Sequence, residues 1–358
     1  MPADWQRAVG KRETLTDSRQ SEVATALEHP SGLSTGIAEG HSAHSSDVMD
    51  LSTRYLGLQL RHPFVPGASP FTQDLDLVLR LEDAGAPALI MHSLFEEDLV
   101  ARDALPHAYL EQLERIKRRT DLPIIASLNG TTADGWLRFA QLLERAGASA
   151  LELNFYHVAT DPFEDGVAVE HRVVDIAAVL KESIRIPIAV KLSPFFSALP
   201  HLAATLDGLG VNGLVLFNRF YQPDIDPERQ CVTLALRYSD SSELLLRLRA
   251  IAILAGRVKA SLALTGGVHE AIDGVKAILA GADVVQIVSA LMKRGPAELA
   301  RIRDGFAAWG DAHEFHSVQE MRATLCHGRA RNPETFERGN YRQALQAARV
   351  ADFPAAGH

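Results

Sequence analysis

The sequence predicts an α/β protein, a TIM (β/α)8 barrel, from three observations. Apolar runs alternate with segments of helical periodicity about every 30 residues, which is typical of parallel strands joined by crossover helices. Several helical segments end in a glycine directly before an apolar run, at Gly85, Gly147, Gly210 and Gly281, and such glycines are common C-terminal caps. No dinucleotide-binding G-x-G-x-x-G turn follows the first strand, which favours the barrel over an open doubly wound sheet.

The predicted elements follow in a regular order. Leu51–Leu60 alternates apolar and polar residues like a hairpin and is placed to plug the bottom of the barrel. Predicted strands span Phe64–Ser69, Ala88–Ser93, Pro123–Asn129, Ala150–Tyr156, Ile186–Ser193, Gly213–Arg219, Ser261–Gly267 and Val284–Ala290. Predicted helices include Asp74–Ala84, Tyr109–Arg119, Asp134–Ala146, Val169–Ile184 and Glu243–Ala255. Residues 221–242 form a long insertion on the face where barrel enzymes carry their active sites.

The regions that flank the barrel differ from it in composition. Residues 1–48 are rich in Ser, His, Gly and charge and show no periodicity, so we expect a disordered extension, with Met49 as a candidate start. The barrel is predicted over residues 49–315. A helical tail over residues 316–358 is expected to pack on or beside it.

Composition and charge argue against several classes of protein. A formal net charge of −9 disfavours a nucleic-acid partner. No apolar run approaches the roughly 18 residues of a membrane span, and no secretory signal is evident. Two distant cysteines, Cys231 and Cys326, suit a reducing cytoplasm, and no His, Cys, Asp or Glu cluster has metal-ligand spacing. We therefore expect a cytoplasmic protein that acts on a small molecule without a metal.

The most informative segment is the glycine turn that ends the seventh predicted strand. Thr265-Gly266-Gly267 is followed by a helix and by a second apolar run that ends in the small residues Val288 and Ser289. In β/α barrels the loops after strands 7 and 8 form a phosphate site, because glycine lets backbone N–H groups approach phosphate oxygens. The sequence therefore predicts a phosphorylated ligand or cofactor at this end of the barrel.

Polar residues at the carboxyl ends of the other strands define the rest of the candidate site. Alternation along the fourth strand places Glu152, Asn154 and Tyr156 on one face. Lys191 is the strongest candidate, since a lysine inside a barrel is costly unless it is paired with an anion or desolvated for a task. We expect Glu152 to be structural, paired deeper in the barrel. The other strand-end candidates are Ala68, Ser69, His92, Ser93, Asn129, Ser193, Asn218 and Arg219.

Six motifs occur in order along the predicted barrel. They are Gly67-Ala68-Ser69, Leu151–Asn154, Val190–Pro194, Gly213–Asn218, Thr265-Gly266-Gly267 and Val285–Ala290. Together they resemble the FMN-binding barrel of the dihydroorotate dehydrogenases, especially the cytoplasmic class 1 branch, over about residues 49–303. The resemblance implies that the FMN phosphate lies on Gly266, Gly267, Val288 and Ser289. It also implies that the flavin ring lies near Ala68, Ser69, His92, Asn129, Asn154 and Lys191.

The resemblance also implies roles in the chemistry. Hydride transfer to flavin N5 leaves negative charge at N1–C2=O, which a fixed cation at Lys191 would stabilise. Oxidation further needs a base, and His157 stands where the family has Cys or Ser, with Tyr156 as an alternative, acting as a donor. Asn154, Asn218 and Arg219 are the expected substrate contacts, suited to a carboxylate or a planar amide ring.

These observations predict an FMN-dependent oxidoreductase of pyrimidine biosynthesis. It would transfer hydride from a CH–CH bond of dihydroorotate or a related substrate to the flavin. One alternative is a Schiff-base or phosphate-ester barrel enzyme that uses Lys191. A second alternative is a catalytically degenerate flavin-binding protein. We expect a homodimer; the electron acceptor stays open, with a reductase subunit as one candidate.

Overall fold

The structure is a computed structural model that describes residues 48–97, 106–220, 222–234 and 237–347. The extension predicted over residues 1–48 lies outside these ranges apart from Val48. Residues 348–358 of the predicted tail also lie outside them. Within the described ranges, no helix combines the length and the apolar character needed to cross a bilayer.

The strands confirm the predicted barrel. In chain order they are β1 (Thr53–Tyr55), β2 (Leu58–Leu60), β3 (Phe64–Pro66), β4 (Leu89–Phe95), β5 (Ile124–Asn129), β6 (Ala150–Asn154), β7 (Ile188–Leu192), β8 (Gly213–Leu216), β9 (Pro223–Asp226), β10 (Cys231–Leu234), β11 (Ser261–Thr265) and β12 (Val284–Ile287). Eight of them form one parallel sheet in the order β3-β12-β11-β8-β7-β6-β5-β4. The last strand thus pairs with the first, and β3 and β4 lie side by side where the ring closes.

Helices follow the strands and cover the outside of the sheet. They are α1 (Leu75–Asp83), α2 (His107–Arg119), α3 (Ala133–Arg145), α4 (Gly166–Ser183), α5 (Leu199–Gly208), α6 (Leu244–Leu254), α7 (Ala271–Ala280), α8 (Ser289–Arg294), α9 (Glu298–Ala312), α10 (Val318–Met321) and α11 (Gly339–Ala347). Side-chain caps fix the residues at which several helices begin. The Asp165 side chain accepts a hydrogen bond from the Ala168 N–H, and α4 begins at Gly166, three residues before the predicted Val169. Short 3-10 turns span Pro70–Gln73, Ser241–Glu243 and Pro333–Phe336.

The β1–β2 hairpin plugs the bottom of the barrel, as predicted. Its side chains Tyr55, Leu56 and Leu60 are buried together with an inner layer of small and β-branched residues. That layer consists of Val65, Ala88, Ile90, Ile125, Ala150, Ala189, Val215, Ala263 and Val284. Gly213, at the start of β8, makes room for Leu56, because a Cβ there would lie 2.5 Å from Leu56 Cδ2. The barrel bottom is therefore closed by packing, and only the opposite end is left for a site.

Six of the eight barrel strands end earlier than their apolar patterns predict, whereas β4 continues to Phe95, two residues past the predicted Ser93. β8 ends at Leu216 rather than at Arg219, although the Asn218 N–H still donates to the Leu192 carbonyl of β7 at 2.8 Å. β12 ends at Ile287 rather than at Ala290, because α8 begins at Ser289. The insertion after β8 also holds an antiparallel ribbon, β9–β10, in which Ile225 pairs with Val232. This ribbon was not predicted from the sequence.

The chain after α9 returns to the barrel bottom and to its outer helices. Ser317 bridges to Asp50, next to the hairpin. The His327 N–H donates to the Ala252 carbonyl on α6 at 2.9 Å. These contacts tie residues 316–327 to the N-terminal hairpin and to α6.

We expect Gly213→Ala to lower the free energy of unfolding by about 1–3 kcal/mol, since an added methyl would overpack the layer around Leu56. Urea unfolding followed by circular dichroism measures the change. Gly208→Ala is the matched control, because a Cβ at this helical position meets nothing within 4 Å. Alanine also favours helix over glycine, so the control should lose no stability. Equal losses in both variants would contradict the packing of Leu56 against Gly213.

Candidate active site

A buried ion pair lies inside the barrel below its mouth. Lys191 Nζ donates to Glu152 Oε1 at 3.1 Å, and Gln286 Nε2 donates to Glu152 Oε2 at 2.7 Å. The Glu152 side chain is fully buried, and that of Lys191 is 8% exposed. Both carboxylate oxygens are therefore satisfied, which offsets the cost of taking this charge out of water. Glu152 has the structural role that we expected, and it fixes the position of the Lys191 ammonium.

An amide and hydroxyl network lies beside this pair, at the ends of β4, β5 and β6. Asn154 Nδ2 donates to Ser127 Oγ at 2.5 Å and to Ser93 Oγ at 3.2 Å. Asn218 Nδ2 donates to the carbonyls of Phe155 and Lys191 at 3.0 and 3.2 Å. The amide oxygens of Asn154 and Asn218 are buried and have no hydrogen-bond partner within the part of the chain that the structure describes. Buried acceptors are normally satisfied, so both suit a donor on a ligand.

The predicted residues after β3, β4 and β5 reach the same end of the barrel. Ser69 is buried at the start of the 3-10 turn after β3, and Asn129 is buried at the end of β5. His92 Nδ1 lies 3.1 Å from Thr72 Oγ1, which also accepts the His92 N–H at 2.8 Å. Burial lowers the pKa of His92, which favours the neutral imidazole.

The glycine turn after β11 packs tightly against the N-terminal end of α6. Gly266 and Gly267 have φ values of +90° and +78°, which favour glycine. A Cβ on Gly267 would lie 2.6 Å from Leu244 N, and one on Gly266 would lie 2.7 Å from Arg247 Nε. Arg247 is buried, and its Nε donates to the Thr265 carbonyl at 2.6 Å. The turn therefore combines close backbone approach with a buried guanidinium, which the sequence analysis had not identified.

Ser239 belongs to the insertion after β8 and contacts the glycine turn, the residues just before α7, and α8. Its Oγ accepts the Gly267 N–H at 3.3 Å and lies 3.2 Å from His269 Nε2. Its N–H donates to Ser289 Oγ at 3.1 Å, and its carbonyl accepts from Lys293 Nζ at 2.9 Å. Ser239, His269 and Lys293 were not predicted as site residues, because nothing in the sequence of the insertion indicates that it returns to the glycine turn.

The loop after β6 directs Tyr156 and His157 to different partners. The Tyr156 ring stacks on Phe95 with centroids 6.3 Å apart. His157 Nε2 lies 2.9 Å from Glu164 Oε2, and Glu164 also binds Arg172. Hydrogen bonds from His157 and Arg172 lower the pKa of Glu164, so it stays a carboxylate. The sequence analysis identified the histidine, but no spacing signal pointed to Glu164.

The same loop borders a cavity of about 430 Å³ at the barrel mouth. Tyr156 and His157 line it together with Phe95 and Asn129. The structure therefore brings His157 and Tyr156 to one cavity.

Arg219 follows β8 and lies at the edge of the mouth. Its Nη1 lies 3.1 Å from Glu243 Oε1, and both side chains are partly exposed. Glu243 also lies 3.5 Å from Arg247 Nη2. The carboxylate of Glu243 thus lies between Arg219, which is a predicted substrate contact, and the guanidinium of Arg247 beside the glycine turn.

The fold and the site together define a β/α-barrel enzyme whose site lies at the carboxyl ends of the strands. The family model for dihydroorotate dehydrogenase matches residues 103–309, which is more than half of the chain. The chain therefore belongs to the dihydroorotate dehydrogenase family and is an oxidoreductase that acts on CH–CH bonds.

Three relatives illustrate the similarity. A protein of Aeropyrum pernix, provisionally named dihydroorotate dehydrogenase A (fumarate), is 29% identical over 59% of this chain and 70% of its own length. The dihydroorotate dehydrogenase B (NAD(+)) catalytic subunit of Thermoplasma acidophilum is 25% identical over 76% of this chain and 98% of its own length. The corresponding subunit of Pyrococcus abyssi is also 25% identical, over 76% of this chain and 97% of its own length.

Glu152→Gln is expected to lower the free energy of unfolding by about 3–5 kcal/mol, because it leaves the buried Lys191 ammonium without its carboxylate. Glu114→Gln is the control, since its pair with Arg118 on α2 is exposed and should contribute about 1 kcal/mol or less. Urea unfolding of the three proteins compares the two pairs. If both variants lost the same small amount, the interior pair would not carry the stability assigned to it.

Proposed function

We propose that the chain is an FMN-dependent oxidoreductase that oxidises a CH–CH bond of dihydroorotate or a related substrate. The observation that carries the proposal is the Lys191 ammonium, held by Glu152 beside two buried amide acceptors. Family membership supports the same reaction class.

The glycine turn fits a flavin phosphate. We propose that the phosphate binds Gly266, Gly267, Val288 and Ser289, where a Cβ on either glycine would collide with α6. Lys293 and Arg247 supply positive charge near this turn. Because Ser239 bonds to Gly267 and Ser289, the phosphate would share this site with Ser239 or displace it.

The residues proposed for the flavin ring follow or belong to β3 to β7. We propose that the ring contacts Ala68, Ser69, His92, Asn129 and Asn154, with Lys191 at its N1–C2=O edge. When bound, FMN would accept the hydride that leaves the substrate. Lys191 would stabilise the resulting negative charge at a fixed position, since Glu152 holds its ammonium before the reaction begins.

His157 is the proposed base. Glu164 lies within hydrogen-bond distance of its Nε2, which leaves Nδ1 to accept a proton from the substrate carbon. This is the usual arrangement of a base whose ring is oriented by a carboxylate. Tyr156 would act beside it as a hydrogen-bond donor, and Asn154, Asn218 and Arg219 would contact the substrate.

The electron acceptor and the assembly belong to the same proposal. Two of the relatives are named as catalytic subunits, which supports a partner subunit that reoxidises the flavin. We further propose a homodimer in the cytoplasm, and the two cysteines, which form no disulfide, support this compartment.

The full-length protein is expected to turn yellow on reconstitution with FMN and to bleach under anaerobic reduction by substrate. Lys191→Met should slow this reduction about 100-fold or more, because the charge stabilisation at the flavin is lost. A double variant, Lys191→Met with Glu152→Gln, removes both buried charges and controls for folding. It should regain stability over Lys191→Met yet remain slow. Protein that stays colourless after reconstitution would overturn the proposed function.

His157→Gln should slow flavin reduction about 100-fold or more while FMN binds with unchanged affinity. Glu164→Gln should slow it less, since it removes only the orientation of the ring. Stopped-flow absorbance measures the reduction, and a flavin titration measures the binding. Tyr156→Phe removes only the hydroxyl, and the same two measurements then test the role of this group as a hydrogen-bond donor. A normal rate in His157→Gln would exclude this residue as the base.

A further inference from the structure

Four aromatic side chains form a continuous arc at the barrel mouth. Phe95 ends β4, and Tyr156, Phe195 and Phe220 follow β6, β7 and β8. The ring centroids of Tyr156 and Phe95 are 6.3 Å apart, and those of Tyr156 and Phe220 are 5.5 Å apart. Phe220 and Phe195 meet edge to face, also at 5.5 Å. Loops from four strands therefore converge to place these rings in one row, called here the aromatic arc.

The aromatic arc is unusually exposed for a row of large apolar side chains. Phe195 is 68% exposed, and Phe95 and Tyr156 are each 39% exposed. Single exposed aromatic residues need no explanation, but a contiguous apolar patch at an enzyme mouth is typical of a ligand-binding surface. Cavities of about 430 Å³ adjoin both ends of the arc, one lined by Phe95 and Tyr156 and the other by Phe195.

The two cations proposed for the site are already compensated by neighbouring carboxylates. Arg219 lies 3.1 Å from Glu243, and Lys191 lies 3.1 Å from Glu152. A carboxylate on a substrate would have to compete with Glu243 for Arg219, which reduces its gain in binding free energy. The buried oxygens of Asn154 and Asn218 instead accept N–H donors and do not favour an anion.

We propose that the aromatic arc selects a neutral dihydro N–H heterocycle, planar once oxidised, that carries an aromatic or other apolar substituent where dihydroorotate carries its carboxylate. The inference rests on the proposed function and narrows its substrate class. Two adjacent ring carbons each lose a hydrogen, one as a proton to His157 and one as a hydride to FMN, and a C=C bond forms between them. The substituent stacks on the arc, and the ring N–H groups reach the amide oxygens.

The test compares two uracils that differ only at the 6-position, orotate with its carboxylate and 6-phenyluracil with a phenyl ring. Isothermal titration calorimetry on the FMN-loaded full chain measures both dissociation constants. We expect 6-phenyluracil to bind at least about 10-fold more tightly, since aromatic pairing adds to the free energy gained from the apolar area that the phenyl ring buries. Phe195→Ala and Phe220→Ala should each remove most of this preference and leave orotate binding within about twofold.

Tyr341→Ala is the matched control, because this exposed tyrosine lies on α11, outside the arc. It should change neither dissociation constant, and thermal unfolding checks that each variant is folded.

Tighter binding of orotate, no binding of either uracil, or an unchanged preference in both phenylalanine variants would overturn the inference. If the chain bound FMN and were reduced by dihydroorotate but bound orotate more tightly than 6-phenyluracil, the proposed function would stand. The inference about the aromatic arc would then be wrong. Failure to bind FMN would overturn the proposed function, while titration of the flavin-free chain would still test the arc.

Discussion

The charge buried inside the barrel is the constraint on which the rest of the site depends. A carboxylate in this interior is tolerable only if both oxygens are satisfied, and Lys191 and Gln286 satisfy them from β7 and β12. Glu152 thus connects strands on different sides of the barrel. The next layer follows from it, because Asn154 lies two residues further along β6 and Asn218 bonds to the Lys191 carbonyl.

The two sides of the mouth have different chemistry. The glycine turn, Arg247 and Lys293 offer backbone N–H groups and positive charge, as a phosphorylated cofactor requires. The side formed by β4 and by β6 to β8 offers aromatic faces and amide oxygens. The second side also holds Asn154, which the proposed function assigns to both the flavin and the substrate, so the two proposed surfaces overlap at this residue.

Periodicity and glycine placement were sufficient to predict the barrel, the hairpin plug and the tight glycine turn after β11, because each depends on local pattern. The pairing of Glu152 was predictable because a buried lysine requires an anion and both residues face inward. The contacts of Ser239 were not predictable, since they depend on the path of a long insertion that carries no periodic signal. Glu164 was missed for a related reason, because only the folded loop brings it to His157. The exact strand ends were also missed, since apolar residues continue past the last ladder hydrogen bond.

The position of the N-terminal hairpin in the barrel has a consequence for folding during translation. Leu56 packs against Gly213, and its layer extends from Val65 to Val284, so the last part of the surface that buries the hairpin is synthesised more than 200 residues after it. Until β12 has left the ribosome, the apolar side chains of the hairpin have no completed barrel to enter. Such long-range closure slows folding and leaves apolar surface exposed to other chains. The nascent chain therefore depends most on protection from aggregation late in translation, just before the barrel closes.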